Sequence, residues 1–298
     1  MDAIIAKFNA IYSFDAQLKL WVGILAGTLA FMALERFFHA KPPFKGLASN
    51  LKAAPLMILG SPLVAIVPTV LVSDALAHRE GWMYPITLNF QEYALWLDES
   101  RIFGGQQTLA ASISMFFCFL LLVDFFYYWF HRLQHTGILW PQHRLHHSDA
   151  CLNVLTTHRH NWLEESARLC FMLLPMQLIF DIKPVHIGFM GTVITLWVYL
   201  LHANLRFSFG PFTPIIAGPQ YHRIHHSIES AHHNKNFATY FPVWDIVFGT
   251  YYRPKRGEFP ETGVNGVTSD ASWREIIWPF SAPSPSPARQ PRGGQARV

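Results

Sequence analysis

The sequence predicts an all-α integral membrane protein: a helical bundle of about four transmembrane segments with a cytoplasmic helical cap. Three observations predict it. Only 14% of the 298 residues are charged and 51% are hydrophobic, against roughly 25% charged in a typical soluble domain. Four apolar runs approach or exceed the length that crosses a bilayer. Twelve of the sixteen His fall in two segments of 30 and 12 residues. An aromatic content of 15% argues against disorder. The net charge of +4 comes from scattered Lys and Arg, with no run suited to nucleic acid. The three Cys, Cys118, Cys151 and Cys170, form no CxxC pair, which excludes a disulfide framework and a Cys-type zinc or iron–sulfur site.

The apolar runs come in chain order. Leu20 to Leu34 spans 15 residues, with Lys19 and Arg36 placed to snorkel at its ends. Ala53 to Ser73 gives 21 uncharged residues, kinked by Pro55, Pro62 and Pro68. Gln107 to Phe130 gives 24 residues with one formal charge, Asp124. Leu169 to Phe180 is too short to cross alone and reads as half of a bent hairpin with the 22 uncharged residues from Pro184 to Leu205. Met1 to Lys19 lacks the basic-then-apolar order of a signal peptide, so the first run is expected to be retained. His39 to Lys52 carries Lys41, Lys45 and Lys52 and no acid, whereas Ala77 to Arg101 is acid-rich. The positive-inside tendency then places His131 and the residues after it on the cytoplasmic face, of a bacterial inner membrane or of the endoplasmic reticulum. The chain divides accordingly: residues 1–106 as N-terminal helices and loops, 107–256 as the catalytic region, and 257–298 as an extension whose Ser/Pro- and Arg/Gly-rich end from Ser281 to Val298 reads as disordered.

The histidines carry the chemistry. His131 and His135 form HxxxH; His143, His146 and His147 form HxxHH; His222, His225 and His226 form HxxHH again. Spacings of three and four put side chains on one face of a helix. A single zinc takes four ligands, and these motifs offer eight, enough for two ions. Imidazole suits iron, zinc, copper and nickel. Asp124 precedes His131 by two helical turns, on the same face, and is expected to orient a ligand His. His160, in HRHNWLEE, reads as a ligand, a supporting group or an interfacial polar residue, and His232 and His233 read as ligands or equally as supporting or surface groups. The isolated His39, His78 and His186 read as structural. His202 ends the last apolar run, on the side where the clusters converge, and is expected to be the ninth ligand.

DFFYYWFHRLQH, LWPQHRLHHSD, and YHRIHHS with NKNFATYFPVWDIVFGTYY after it resemble the fatty acid hydroxylase / sterol desaturase superfamily of membrane non-haem di-metal oxygenases, from about Leu120 to Tyr252. The resemblance implies two iron ions, with zinc taken up on purification, and O2 as co-substrate. It implies hydroxylation or desaturation of a lipid or sterol C–H bond in the bilayer, and a His at the end of the helix that carries His202. Some members have a further His four residues later; here that position is Arg206. No GxGxxG fingerprint occurs, so electrons must come from a separate protein. Lys235, Arg253, Lys255 and Arg256 would receive an acidic donor, or are ordinary juxtamembrane positive charge. Two alternatives stand beside this reading: a membrane metal-binding protein without turnover, and a zinc-dependent membrane hydrolase, which the lack of HExxH disfavours.

Overall fold

A computed structural model describes residues 14–38, 47–60, 86–88, 109–182 and 187–278, with single residues at 64, 68, 70, 71, 280, 281 and 283. His39, His78 and His186, most of the two loops used to orient the chain, the later part of the run to Ser73 and most of the C-terminal tail lie outside the described residues.

Helix α1 (Phe14–Phe38) has 25 residues, about 37 Å at 1.5 Å per residue. It runs past its uncharged stretch at both ends, and at the C-terminal end Glu35 turns inward. The buried Glu35 carboxylate accepts the backbone N–H of Val154 and of Asn204, each at 2.8 Å. Outward, α1 shows an apolar stripe of Leu18, Val22, Leu25 and Leu29, the reverse of a soluble amphipathic helix. Gly27 faces the Tyr199 ring, which would lie 2.9 Å from any Cβ there, so this backbone contact requires glycine. Helix α2 (Leu47–Pro55) continues as a π-helical turn from Leu56 to Gly60. The change of pitch falls directly after Pro55, which cannot donate a helical N–H.

Helix α3 (Leu109–Gln134) runs past the apolar segment and carries the helix on through His131. Ile113, Phe117, Leu121 and Trp129 form its exposed side, while Leu120, Asp124, Tyr128 and His131 form a buried stripe at helical spacing. Helices α1 and α3 contain the two described stretches long and apolar enough to cross a membrane, Trp21–Phe38 and Ile113–Gln134.

Beyond α3 the described chain continues as short helices and turns. Helix α4 (Trp140–His147) begins with Pro141 and ends at Ser148. A 3-10 turn (Val154–His158) is capped by Asn153, whose side chain accepts the Leu155 N–H. Helix α5 (Glu164–Arg168), a π-helical turn (Leu169–Leu173) and helix α6 (Leu174–Ile179) make one bent segment. Met172 and Met176 on it pack against Phe126 and Phe130 of α3. Helix α7 (Ile187–His202) is next; then come α8 (Pro219–His225), α9 (Val243–Val247) and α10 (Trp273–Ile277).

One detail departs from an all-helical fold. Strand β1 (Ile86–Leu88) pairs in parallel with β2 (Phe180–Ile182), Ile86 opposite Phe180. Both are three-residue segments with β-branched residues. Among the described residues the other elements are helices and helical turns joined by loops, with two candidate membrane helices and a His-rich helical region. The segment after residue 256 is tied back onto α8 and the residues that follow it: Ile228 N–H donates to Glu261 O, Gly263 N–H to His226 O, and Arg223 Nε to Pro260 O.

Candidate metal centre

Nine imidazoles meet where α3, α4, α7 and α8 converge. They fall into two groups. His131, His135, His143, His147 and His225 form one, and His146, His202, His222 and His226 form the other; within each group the ring nitrogens lie within 4.8 Å of one another. The two HxxHH helices are interlocked. Helix α4 gives its i,i+4 pair, His143 and His147, to the first group and its middle histidine, His146, to the second. Helix α8 does the opposite, giving His222 and His226 to the second group and His225 to the first. All three motifs and His202 are thus brought together, and the groups abut: the His147 and His226 rings stack at 4.3 Å.

The ring nitrogens are set for a cation. His131 Nδ1 donates to Phe237 O (2.8 Å), His225 Nδ1 to Lys235 O (2.8 Å), His202 Nδ1 to Val198 O (2.9 Å) and His146 Nδ1 to Thr156 O (3.1 Å). A proton fixed on Nδ1 leaves Nε2 as a bare lone pair. Nε2 of His131, His135 and His225 is buried with no hydrogen-bond partner. In the other group His202 Nε2 approaches His146 Nε2 at 3.2 Å and His222 Nε2 at 3.0 Å, and His226 Nε2 approaches His222 Nε2 at 3.1 Å. Nitrogens held about 2.1 Å from one ion, about 90–110° apart, are about 3.0–3.4 Å from each other. These side chains therefore fit a metal. Burial, reinforced by neighbouring imidazoles, pushes the pKa of His135, His143, His146, His147, His222, His225 and His226 well below the ordinary value. Neutral imidazole is the ligating form.

A buried strap, residues 235–241, aims two of the ligand candidates through the carbonyls of Lys235 and Phe237. Two carboxylates hold the strap. Asp245 accepts the N–H of Phe237 and of Ala238 at 2.8 Å, and also takes the Tyr221 hydroxyl and the Thr250 hydroxyl. Gly249, at φ 74°, turns the chain after α9 so that Thr250 can reach back. Asp124 accepts the N–H of Thr239, Tyr240 and Phe241 at 2.8, 3.2 and 2.8 Å. The expected direct bond from Asp124 to a histidine gives way to this indirect one: three convergent amide donors saturate the carboxylate.

His160 lies beside the groups, its ring stacked on His146 at 4.0 Å and its Nδ1 3.7 Å from Glu164. His143, His160 and Glu164 form a third, smaller cluster. Gln134 Nε2 donates to both Glu164 oxygens at 2.9 Å. His233 is exposed and belongs to neither group. Arg206 does not take a ligand's place; its guanidinium lies 4.9 Å above the Phe259 ring. Arg253, Lys255 and Arg256 are exposed, and Lys235 is half-buried.

Sequence reasoning passed over four supporting residues. Glu35 joins α1 to the backbone at Val154 and Asn204. The fully buried Arg159 donates to Leu145 O, Ser49, Asn50, Ser148 and Ser269 O, fastening α2 and the C-terminal segment to the end of α4. Gln134 and Glu164 complete the set. A polar residue within or beside an apolar run is the signal that would have found Glu35, Gln134 and Glu164.

A cavity of about 450 Å³ opens against this wall of rings, lined by His131, His146, His160, His202 and His222. Ile24, Met57, Ile58, Ile194 and Val198 are among its apolar lining.

Residues 116–250 match the fatty acid hydroxylase family. The chain is 31% identical over 163 residues to an ornithine lipid hydroxylase of Rhizobium tropici, covering 54% of this chain and 49% of that one. It is 33% identical over 132 residues to the alkylglycerol monooxygenase of Homo sapiens, covering 43% and 28%. It is 28% identical over 166 residues to a Delta(7)-sterol 5(6)-desaturase of Aspergillus fumigatus, covering 55% and 44%. The chain thus spans half or less of the length of these relatives. No solved structure matches it. The histidine pattern and its folding into paired groups agree with these likenesses, and residues 116–250 are similar to the fatty acid hydroxylase family.

Proposed function

We propose that this protein is a non-haem di-iron membrane oxidoreductase that oxidises a lipid or sterol C–H bond with O2, by hydroxylation or desaturation. The single observation that carries the reading is the sorting of nine buried imidazoles into groups of five and four with convergent ring nitrogens. One ion would be held by His131, His135, His143, His147 and His225, and its partner by His146, His202, His222 and His226. The relatives' names, a lipid hydroxylase, a monooxygenase and a desaturase, support an oxidation rather than a hydrolysis.

When bound, two redox-active metals supply the activation of O2 that zinc, with no accessible second oxidation state, does not. Hydroxylation then balances as substrate, O2, two electrons and two protons giving alcohol and water, the electrons coming from a separate donor protein. The chain's own residues bind and orient. The apolar wall of the cavity holds a lipid chain against the imidazoles and keeps water from it. The strap, fixed by Asp124 and Asp245, sets His131 and His225 from outside the ring of ligands. His160, stacked on His146, limits that ring's rotation.

The placement goes with the chemistry: about four spanning segments, with the histidine cap on the cytoplasmic face. Residues 107–256 are the catalytic domain, with helices and loops before it and an extension after it. The exposed Arg253, Lys255 and Arg256 suit an acidic electron donor.

Comparative lipid mass spectrometry of cells with and without the intact protein tests this. A product heavier by one oxygen, or lighter by two hydrogens, formed only with O2 and reductant, is expected. Turnover without O2 and reductant would give the site to a hydrolase; two bound metals with no lipid change would make it a metal-binding protein.

A further inference from the structure

Helix α10 and the residues after it lie beyond the matched residues 116–250, and their two sides differ. Inward, Ile276 is fully buried in a cluster with Ala53 of α2, Leu145 of α4 and Ala271. Outward, Trp273, Ile277, Trp278 and Phe280 are 57%, 47%, 66% and 66% exposed. Four large apolar side chains so close in sequence make a poor surface for water. The two charges in this stretch do not offset them. Glu275 turns back to accept the N–H and the hydroxyl of Ser272, at 2.9 and 2.8 Å, which leaves the exposed Arg274.

Two sets of contacts fix the height of this segment against the apolar runs. Lys52, the last charge before the 21 uncharged residues from Ala53 to Ser73, pairs with Asp270 at 3.2 Å. Ile276 then joins the cluster of Ala53 and Leu56, so the chain passes from the charged end of that run onto its first apolar turn. The second set starts from α1. Thr28 Oγ1 lies 3.4 Å from His158 Nε2, and Thr28 is ten residues, about 15 Å, inside the end of α1 at Phe38. Asn161 is three residues on from His158, a reach of at most about 11 Å, and so lies no further out than the end of α1. There Asn161 Nδ2 donates to Ile276 O and Trp162 Nε1 to Ile277 O, both at 2.8 Å. Both measures bring α10 to the level where the apolar stretch of α1 ends and that after Lys52 begins.

We infer that Trp273, Ile277, Trp278 and Phe280 form an interfacial membrane anchor. They seat the segment after the matched domain in the boundary between lipid headgroups and acyl chains, with Arg274 toward anionic headgroups. The anchor rests on the membrane placement proposed above. Through Ile276 it bears on Leu145, which lies between His143 and His146 on α4, so the bilayer surface becomes part of the frame of that helix.

Spin labels on the full protein in lipid nanodiscs test this. With the exposed Cys118 and Cys170 changed to Ser, one Cys is placed in turn by Ile277→Cys, Trp278→Cys and Phe280→Cys and carries a nitroxide. Collisions with O2, which concentrates in lipid, are compared with those of a water-soluble nickel chelate. At least two of the three labels are expected about 5–10 Å into the boundary of headgroups and acyl chains, favouring O2, while a label from Arg256→Cys favours nickel. Nickel-favouring labels at two or more of the three positions would overturn the inference. So would labels shielded from both reagents and broadened by spin–spin contact that unlabelled protein dilutes away, the sign of a second copy on this face. Leu25→Cys, on the exposed stripe of α1, separates the two readings. If its label favours O2 while those on the C-terminal segment favour nickel, the anchor falls and the membrane placement stands; if its label also favours nickel, the membrane placement falls and takes the anchor with it.

Discussion

Helices α4 and α8 carry the same HxxHH pattern, yet α4 commits His143 and His147 to the group of five, and α8 commits His222 and His226 to the group of four. Each sends its middle histidine across. Their supports differ as well. The end of α4 is gripped by Arg159, which bonds the Leu145 carbonyl and the Ser148 hydroxyl but no imidazole. Beside α8 lies the strap, whose carbonyls touch the rings of His225 and His131 directly. Equal motifs are therefore not equal parts. Helix α4 is held through its frame by Arg159 as well as through the Thr156 carbonyl on His146, whereas α8 is reached through the Lys235 carbonyl on His225, and the crossing histidines would make each ion depend on both.

The largest effect is expected at the crossing residues. His146→Ala removes a ligand from the group of His222, and His225→Ala one from the group of His143. Each variant is expected to bind one ion per chain far more weakly than the other and to lose at least about 100-fold in lipid oxidation, since even supporting groups cost 10–100-fold. Metal analysis with X-ray absorption reads both. If the two variants weaken the same ion, the interlocked assignment is wrong.

A smaller effect is expected at the strap. Asp245→Asn keeps the shape but replaces an acceptor of two backbone amides and two hydroxyls. A loss of about 10–100-fold in metal affinity is expected, with the ion of His131 and His225 affected first. Asp124→Asn acts on the same strap from the α3 side and is expected to fall in the lower part of that range. Chelator competition measures both. An Asp245 variant whose metal affinity is unchanged would separate the strap from the centre.

The smallest effect on metal is expected at the α4 frame. Arg159→Met leaves several buried acceptors unpaired, each costing about 1–3 kcal/mol. The thermal midpoint is expected to drop by several degrees while metal affinity changes less than tenfold. A loss of metal as large as that of Asp245→Asn would erase the contrast between the two helices.

The histidine motifs were legible because an i,i+3,i+4 pattern has few other uses when it abuts an apolar helix. His202 was legible from its place at the end of an apolar run. The division into five and four was not, because helical spacing puts His143, His146 and His147 on one face without saying which neighbour each will meet; α7 and α8 decide that. Asp124 was legible as a buried, purposeful charge, but its partners are three amides 115–117 residues away, a separation no local pattern encodes. Glu35 was hidden for the opposite reason: beside Arg36 it reads as the end of a span, whereas two backbone N–H groups draw it inward. The strand pair β1–β2 was missed because three-residue strands leave no periodicity to detect.

One measurement bears on the central claim most directly. Purified protein reconstituted with iron is mixed with its lipid extract and reductant, with and without O2, while bound iron is counted. The account predicts two iron ions per chain and a lipid product, one oxygen heavier or two hydrogens lighter, that forms only when O2 and reductant are both present. Full turnover with one ion per chain, or product formed equally without O2, would contradict it.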